Sequence, residues 1–221
     1  MHYAYIVPTR RHFPRFYEER IYGVTLLRCE LPNEKPRTLR RCALMLERCG
    51  VRRMLNNGLN GRFPLVSTRA LWQENAARLA LLWLEREQLP PEKAVVCLRS
   101  NRVTQPFLHA AETLSDHVRA IALDLHEPEP LADHLRQRNG VPVLRCGGDV
   151  TLSFRGEDTE SSGSFLCVGG VQPVIPGFAL TAPVHPPADC PREGLYAALC
   201  HGGRLSAAEV TVVLVRNSES L

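Results

Sequence analysis

The sequence lacks several features by which a function is most readily recognised. No uninterrupted apolar run approaches the roughly 20 residues that a membrane-spanning helix needs. There is no G-x-x-x-x-G-K-[ST] phosphate loop, no G-x-S-x-G nucleophile turn and no C-x-x-C pair. The first residues show no basic segment followed by an apolar one, so we expect no signal peptide and a cytoplasmic location.

The eight cysteines form no recognisable ligand set. Most lie in apolar runs, and in a reducing compartment they are expected to be small core residues. The nearest approach to a zinc site is His185 and Cys190 with Cys200 and His201. Because adjacent residues of a helix point about 100° apart, Cys200 and His201 suit one ion poorly. We therefore expect no metal and no other cofactor.

Positive charge is concentrated in the first third of the chain. Residues 1–69 contain fourteen Lys or Arg and five Asp or Glu, a net charge of +9, whereas the remainder contains thirteen and eighteen, a net charge of −5. Such an excess attracts acidic proteins, small anions or nucleic acid. Nucleic acid ranks lowest, because aromatic residues are not interleaved with the arginines in a known binding motif. The predicted partner-binding residues are Arg40, Arg41, Arg52 and Arg53.

The middle of the chain alternates between strand and helix patterns. The predicted strands are residues 94–98, 118–125 and 141–146, and the predicted helices between them are residues 104–116 and 129–140. This alternation is typical of βαβ units and a parallel sheet. We predict a Rossmann-like three-layer α/β/α fold with a mostly parallel central sheet. A further helix at about residues 68–88 either covers the second face or begins the same winding.

The C-terminal part has a different pattern. Gly147 and Gly148 separate two alternating apolar runs, which predicts a β-hairpin. Residues 171–191 contain six prolines, which predicts a proline-rich surface wrap instead of a helix. We expect a basic α/β portion over residues 1–65 and a core over residues 66–221. The first portion either extends the main sheet or forms a lobe of its own.

Polar residues follow each predicted parallel strand. Ligands of open parallel sheets bind beyond the carboxyl ends of the strands, where helix N-termini also point. The candidate ligand-binding residues are Arg99, Ser100, Asn101, Arg102, Asp124 and Arg145. The arginines suit a phosphate or carboxylate, and Asp124 suits a hydroxyl or an amine. The alternative is that Arg99 and Arg102 only form surface ion pairs with nearby carboxylates.

The turn after the first predicted strand argues against a common cofactor. It reads RSNRVTQ, whereas a dinucleotide site needs G-x-G-x-x-G there so that the backbone can approach a pyrophosphate. An NAD or FAD site is therefore not expected. Cys146, at a strand end before two glycines, suits a nucleophile, but an inward-facing strand cysteine explains it equally well.

Two hypotheses follow from these patterns. The first is a protein that binds a small phosphate- or carboxylate-bearing ligand at the strand ends, with or without subsequent chemistry. The second is a non-catalytic scaffold or regulatory protein whose arginine-rich first third docks a protein partner or nucleic acid. Fold alone does not decide between them.

Overall fold

A computed structural model describes residues 2–57, 59, 61–145, 147–158 and 160–215. The chain divides into two compact units. The first comprises the residues up to Thr68 together with residues 181–210, and the second comprises residues 69–180 and the segment that begins at Thr211. Residues 181–210, which the sequence analysis grouped with the core, thus belong to the same unit as the N-terminal residues.

Six α-helices and eleven strands are found in the described residues. The helices are α1 (Pro36–Arg48), α2 (Arg69–Glu74), α3 (Ala76–Arg86), α4 (Gln105–Ser115), α5 (Glu129–Asn139) and α6 (Arg192–His201). The strands are β1 (His2–Pro8), β2 (Arg15–Ile21), β3 (Val24–Leu31), β4 (Val51–Met54), β5 (Val95–Arg99), β6 (Ala120–Asp124), β7 (Val143–Leu144), β8 (Val150–Ser153), β9 (Phe165–Cys167), β10 (Phe178–Thr181) and β11 (Thr211–Leu214). Two short 3-10 helices cover Pro91–Lys93 and Ala207–Glu209.

The first unit contains a four-stranded sheet of order β2-β3-β1-β4. Strand β1 runs parallel to both β3 and β4, whereas β2 and β3 form an antiparallel hairpin. The hairpin turn consists of Tyr22 and Gly23, whose φ angles are +48° and +80°. Two positive φ angles in a two-residue loop match the right-handed twist of the strands, and glycine reaches such angles without strain.

One face of this sheet is covered by α1. Ala4 and Ile6 of β1 and Cys29 of β3 pack with Cys42 and Leu46 of the helix in one buried cluster. The apolar positions of α1 recur at helical spacing, which is why the sequence predicts this helix. The Sγ atoms of Cys29 and Cys42 lie 2.9 Å apart inside the cluster.

The second unit contains a five-stranded sheet of order β7-β6-β5-β8-β9 in which every neighbouring pair is parallel. The chain thus winds outward from β5 through β6 to β7, and then returns to the other side of β5 with β8 and β9. This is the strand order of the doubly wound α/β fold. The prediction of an α/β fold with a mostly parallel sheet is confirmed for this unit.

The helices of the second unit lie on one face of the sheet. Helix α4 packs against β5, β6, α3 and α5, and helices that contact one another must share a face of the sheet. The opposite face carries a small cluster of Val95, Cys97, Ala120 and Ala122. The chain crosses this face between β7 and β8, where the described residues contain no helix. It passes close to the sheet at Gly148, because a Cβ placed there would lie 3.0 Å from the Cβ and backbone N atoms of Cys97. Within the described part of this unit, the predicted second helical layer is absent.

The predicted hairpin at Gly147 and Gly148 is wrong. Strand β7 lies at one edge of the sheet and pairs with β6, whereas β8 pairs with the far side of β5. Strands β6 and β5 thus separate β7 from β8, and both pairings are parallel. Gly148 therefore permits a close crossing over the sheet, and the two glycines do not form a tight turn between neighbouring strands. The proline-rich residues 171–191 contain β10 and no helix, as their composition indicates. No described helix is long and apolar enough to cross a membrane.

Candidate functional site

A cavity of about 220 Å³ opens beyond the carboxyl ends of β5 and β8 in the second unit. It lies where the strand order reverses, because β5 leads to β6 on one side while β8 lies on the other. Crevices at this point of an open parallel sheet are the usual ligand sites of doubly wound folds. The lining residues are Arg69, Gln73, Ser100, Asn101, Arg102, Thr104, Phe154, Arg155 and Gly156.

The loop between β5 and α4 is shaped by Ser100. The Ser100 hydroxyl donates to the carbonyl of Arg102 at 2.8 Å and accepts from the Arg102 amide at 3.4 Å. The Ser100 amide also donates to the carbonyl of Asp124, which ties the loop to the end of β6. Ser100 is only 4% exposed. Its role is therefore to hold the loop that carries Arg102, through a local side-chain turn.

Helix α4 begins directly after this loop. Its N-cap residue Thr104 lines the cavity, and its side chain does not cap the helix. Pro106 in the first turn has a fixed φ that favours helix initiation and lacks an amide hydrogen. The remaining first-turn amides have no acceptor within the helix, and they give this end of the helix a partial positive charge. Such an end attracts an anion.

Three arginines surround the cavity. The Nε atom of Arg69 donates to the carbonyl of Gly170 at 3.3 Å. Arg155 forms an ion pair with Asp124 at 3.3 Å, and its Nε atom is buried without a hydrogen-bond partner. Arg102 is exposed and forms no ion pair with any described residue. No carboxylate is among the described lining residues, so the cavity wall is positively charged.

Asp124 lies beside the cavity and is shared by two arginines. Its Oδ2 atom accepts from the Nε atom of Arg99 at 2.6 Å, and its Oδ1 atom pairs with Arg155. The hydrogen bond to Asp124 raises the pKa of the Arg99 guanidinium, which also lies 5.3 Å from the ring centroid of Phe165. The ion-pair alternative is thus observed for Arg99. Because both carboxylate oxygens are engaged, Asp124 positions Arg155 at the cavity wall.

The six predicted ligand-binding residues are only partly brought together. Ser100, Asn101 and Arg102 line the cavity, while Arg99 and Asp124 pair with each other next to it. The Asn101 amide donates to Glu157 at 3.1 Å. Arg145 follows β7 at the far edge of the sheet, where its 85% exposed side chain pairs with Glu129 at 3.1 Å. The ligand-binding role of all six stays a prediction.

The sequence analysis missed the part of the wall that follows β8. Phe154, Arg155 and Gly156 come directly after this strand and line the cavity. The sequence does not single them out, because the local pattern of the run from Asp149 to Phe154 indicates one arm of a hairpin. Had that run been recognised as a parallel strand, the strand-end rule that selected Arg102 would also have selected Arg155. Arg69 and Gln73 lie on α2, and no local sequence pattern marks them as residues of a ligand site.

A second cavity of about 420 Å³ lies on the other side of the β5–α4 loop. Asn101 and Arg102 line both cavities, and the second one is otherwise lined largely by apolar residues from Leu125 to Leu131 and by Val103. The two cavities therefore adjoin one another along these two residues of the loop. His126 and Glu127 give the larger cavity two titratable groups.

The lining of the smaller cavity is suited to binding more than to proton transfer. None of its described residues is a His, Cys, Asp, Glu, Lys or Tyr. General acid–base chemistry needs such a group within hydrogen-bond reach of the reacting atom. Cys146, the candidate nucleophile, lies outside the described residues. Among the residues the structure describes, no three His, Cys, Asp or Glu side chains form a group that would hold a metal ion.

The described thiols differ strongly in accessibility, and five of the seven are buried. Burial, with the Glu19 carboxylate nearby, raises the pKa of the Cys190 thiol to about 12. Cys49 is exposed. The expectation that most of these cysteines are core residues is confirmed.

We expect iodoacetamide at about pH 8 to label Cys49 and to leave Cys190 unlabelled, because the thiolate is the reacting species. Peptide mass spectrometry would measure both sites in one sample. Labelling in guanidinium chloride is the control, in which the two thiols should react alike. Equal labelling of the two in the native protein would contradict the burial of Cys190.

The four predicted partner-binding arginines do not share one surface. Arg40 and Arg41 are exposed on α1. Arg52 is the extra residue at a register shift between β1 and β4, and Arg53 lies opposite Tyr3. Since α1 covers the face formed by Ala4 and Ile6, alternation along the strand places Tyr3 and Arg53 on the other face. The docking of a partner at Arg40, Arg41, Arg52 and Arg53 stays a prediction.

Comparisons with known proteins give little further information. No protein-family model matches the chain, and no curated protein matches it. One similar solved structure is the L-tryptophan dehydrogenase from Nostoc punctiforme, at 10% sequence identity and a TM-score of 0.31. The alignment covers 69% of this chain and 55% of that chain, so this chain spans just over half the length of the dehydrogenase. The strand order, and not this likeness, supports the fold assignment.

Proposed function

We propose that the second unit binds a small ligand bearing a phosphate or carboxylate group in the 220 Å³ cavity between the ends of β5 and β8. The observation that carries this proposal is the charge of the cavity wall. Three guanidinium groups and the N-terminal end of α4 surround a space that no described carboxylate lines. Guanidinium groups in such a space repel one another unless an anion lies between them.

The groups around the cavity have distinct roles in this proposal. Arg102 is the exposed contact, and it forms no ion pair with any described residue. Arg155 is the fixed contact, since Asp124 orients one end of its guanidinium while its Nε atom is left buried without a partner. A pre-oriented guanidinium loses less conformational entropy when it binds an anion.

The volume of the cavity restricts the ligand. Sites for drug-sized ligands usually measure about 300–1,000 Å³. A cavity of 220 Å³ is smaller, and it suits a phosphate or carboxylate with a short organic remainder. A longer ligand would reach past the loop into the adjoining 420 Å³ cavity, whose lining is largely apolar. The proposal concerns binding, because none of the described residues that line the smaller cavity is a His, Cys, Asp, Glu, Lys or Tyr.

A thermal-shift screen tests this proposal with phosphate, sugar phosphates, small carboxylates and nucleotides as probes. A ligand at about 100 times its dissociation constant adds about 2.7 kcal/mol to the free energy of unfolding. We expect at least one anion to raise Tm, and we expect Arg102→Gln to weaken its binding about tenfold or more, because a charge-assisted contact is lost. Arg102 is the preferred site because its replacement breaks no described ion pair.

Arg119→Gln provides the matched control for Arg102→Gln. Arg119 is also exposed, but it precedes β6 and so lies toward the amino ends of the parallel strands. Both variants lose one positive charge from the same unit, and only Arg102→Gln removes it from the cavity. An equal loss of binding in the two variants would show a diffuse charge effect. No shift with any anion would refute the proposal.

A further inference from the structure

We propose that the first unit holds a second anion-binding site, distinct from the cavity at the strand ends, which accepts a phosphate monoester with an organic body. The site is a cavity of about 570 Å³ formed wholly by residues of this unit. Its lining residues are Tyr3, Gly23, Val24, Thr25, Arg53, His201, Gly202 and Arg204.

The β2–β3 turn forms one wall of this cavity and is hydrogen-bonded to the segment at His185. Tyr22 and Gly23 adopt positive φ angles, and the Tyr22 hydroxyl accepts from the His185 amide at 3.0 Å. Because Gly23 has no side chain, the Arg204 guanidinium lies against it, and a Cβ there would be 3.4 Å from the Arg204 Nε atom. The turn thus fixes where this arginine lies.

The end of α6 forms a second wall, next to the turn. The amides of Gly202, Gly203 and Arg204 donate to carbonyls of the last turn, with Arg204 bonded to Leu199 at 2.9 Å. These bonds satisfy carbonyls that would otherwise present partial negative charge at the helix C-terminus. Gly203 has a φ of +63°, the left-handed angle that such a helix end requires. The chain is thereby turned so that His201 and Arg204 both line the cavity.

Arg53 lines the cavity from the sheet. The register shift at Arg52 places Arg53 beside Tyr3, on the face of the sheet that α1 does not cover. Without that extra residue, the alternation along β4 would have carried the arginine to the other face. The bulge therefore decides which arginine of the Arg52–Arg53 pair reaches the cavity.

No described residue compensates the charge of this cavity. Neither Arg53 nor Arg204 forms an ion pair or hydrogen bond through its side chain with any described residue, and no described carboxylate lines the cavity. Elsewhere in the same unit an arginine is fully compensated, since Arg28 pairs with Glu19, Glu30 and Asp189. Two guanidiniums and an imidazole around one space leave room for an external anion.

The chemistry of the walls indicates the class of ligand. A phosphate monoester carries a charge of about −1.5 to −2 near neutral pH and three strong acceptor oxygens, which matches two guanidiniums and one imidazole. The cavity is much larger than an inorganic ion, and the buried Tyr3 and Val24 add apolar surface next to the cationic groups. An organic body attached to the phosphate would fill that space.

Isothermal titration calorimetry of the full chain tests this proposal with adenosine monophosphate, ribose 5-phosphate and phenyl phosphate as probes. We expect at least one of them to bind, and adenosine without its phosphate to bind at least about tenfold more weakly than adenosine monophosphate. Arg204→Gln and Arg53→Gln should each weaken the binding about tenfold or more. Arg192→Gln, which removes an exposed arginine at the other end of α6, should leave it unchanged.

Arg102→Gln distinguishes this site from the one in the second unit. If the two sites are independent, Arg102→Gln leaves ligand binding at the 570 Å³ cavity unchanged. Likewise, Arg204→Gln leaves ligand binding at the 220 Å³ cavity unchanged. The proposal is refuted if no phosphate monoester binds, or if binding is unchanged in both Arg53→Gln and Arg204→Gln. It is also refuted if Arg192→Gln weakens binding as much as Arg204→Gln does. Circular dichroism of each variant verifies that the fold is retained.

Discussion

Replacing Gly169 by alanine is expected to lower the free energy of unfolding by about 3 kcal/mol or more. A Cβ on Gly169 would lie 2.0 Å from the carbonyl oxygen of Arg155 and 2.6 Å from the carbonyl carbon of Phe154. These are backbone atoms, which cannot rotate away as a side chain does. The segment after β9 would have to separate from the segment after β8.

Gly170→Ala is a matched control for Gly169→Ala because it makes the same change one residue further on. The nearest atom to a Cβ on Gly170 is 4.0 Å away, and its φ is not in the left-handed region. Loss of glycine freedom in the unfolded chain should make this variant neutral or about 0.4–1 kcal/mol more stable. Urea denaturation followed by circular dichroism measures both. Equal stability of the two variants would contradict the close approach at Gly169.

The position of Gly169 ties this stability effect to the candidate site. Arg155, whose backbone Gly169 touches, is the arginine that Asp124 orients at the cavity wall. If Gly169→Ala remains folded, Arg155 must shift, and anion affinity should fall even though no lining side chain has been changed. Gly170→Ala should bind as the unaltered protein does.

The parallel strands were predictable because their sequences are nearly continuous apolar runs. Residues 94–98 and 120–123 are buried on both faces of the sheet, and burial on both faces removes the polar alternation of an exposed strand. The helix patterns between them then required crossover connections. Both kinds of evidence are local in sequence, and both are confirmed in β5, β6, α4 and α5.

The return of the chain from β7 to β8 was not predictable in the same way. Two glycines between alternating runs favour a hairpin by local chemistry, yet β7 and β8 lie at opposite sides of the β5–β6 pair. The deciding factor is long-range, because Ala120, Ala122 and Cys97 leave enough space for the backbone at Gly148 to cross the sheet. That complementarity is invisible until the strands have been placed side by side.

The candidate site shows the same division between local and long-range signals. The strand-end rule selected Arg102 and Asn101 from the sequence, and both line the cavity. The rule also selected Arg145, which follows β7 two strands from β5. Which strand ends are neighbours depends on strand order, and strand order was not encoded in any local pattern. The same holds for Arg53, because its charge alone groups it with Arg40 and Arg41, whereas the bulge in β4 decides which face of the sheet it occupies.

Replacing Gly194 by alanine in α6 is expected to destabilise the protein by about 2 kcal/mol, against the direction of helix propensity. Alanine is preferred to glycine inside a helix by about 1 kcal/mol, so propensity alone predicts a more stable protein. The packing predicts the opposite sign. A Cβ on Gly194 would lie 2.6 Å from the carbonyl oxygen of Leu55 and 3.0 Å from its Cβ atom.

Gly202→Ala, at the C-cap of the same helix, separates the two effects. Gly202 follows the last residue of α6 with a φ of −84°, and a Cβ there would meet its nearest atom at an ordinary 3.4 Å. We expect this variant to be neutral or slightly stabilising. Urea denaturation of both variants measures the sign of the change in the free energy of unfolding in each. If Gly194→Ala also stabilises, α6 does not lie against Leu55 as described, which would contradict the wall that α6 gives to the 570 Å³ cavity. Destabilisation by Gly194→Ala without destabilisation by Gly202→Ala would instead show that α6 packs directly against the backbone of Leu55, the residue after β4. This placement brings His201 and Arg204 to the same cavity as Arg53.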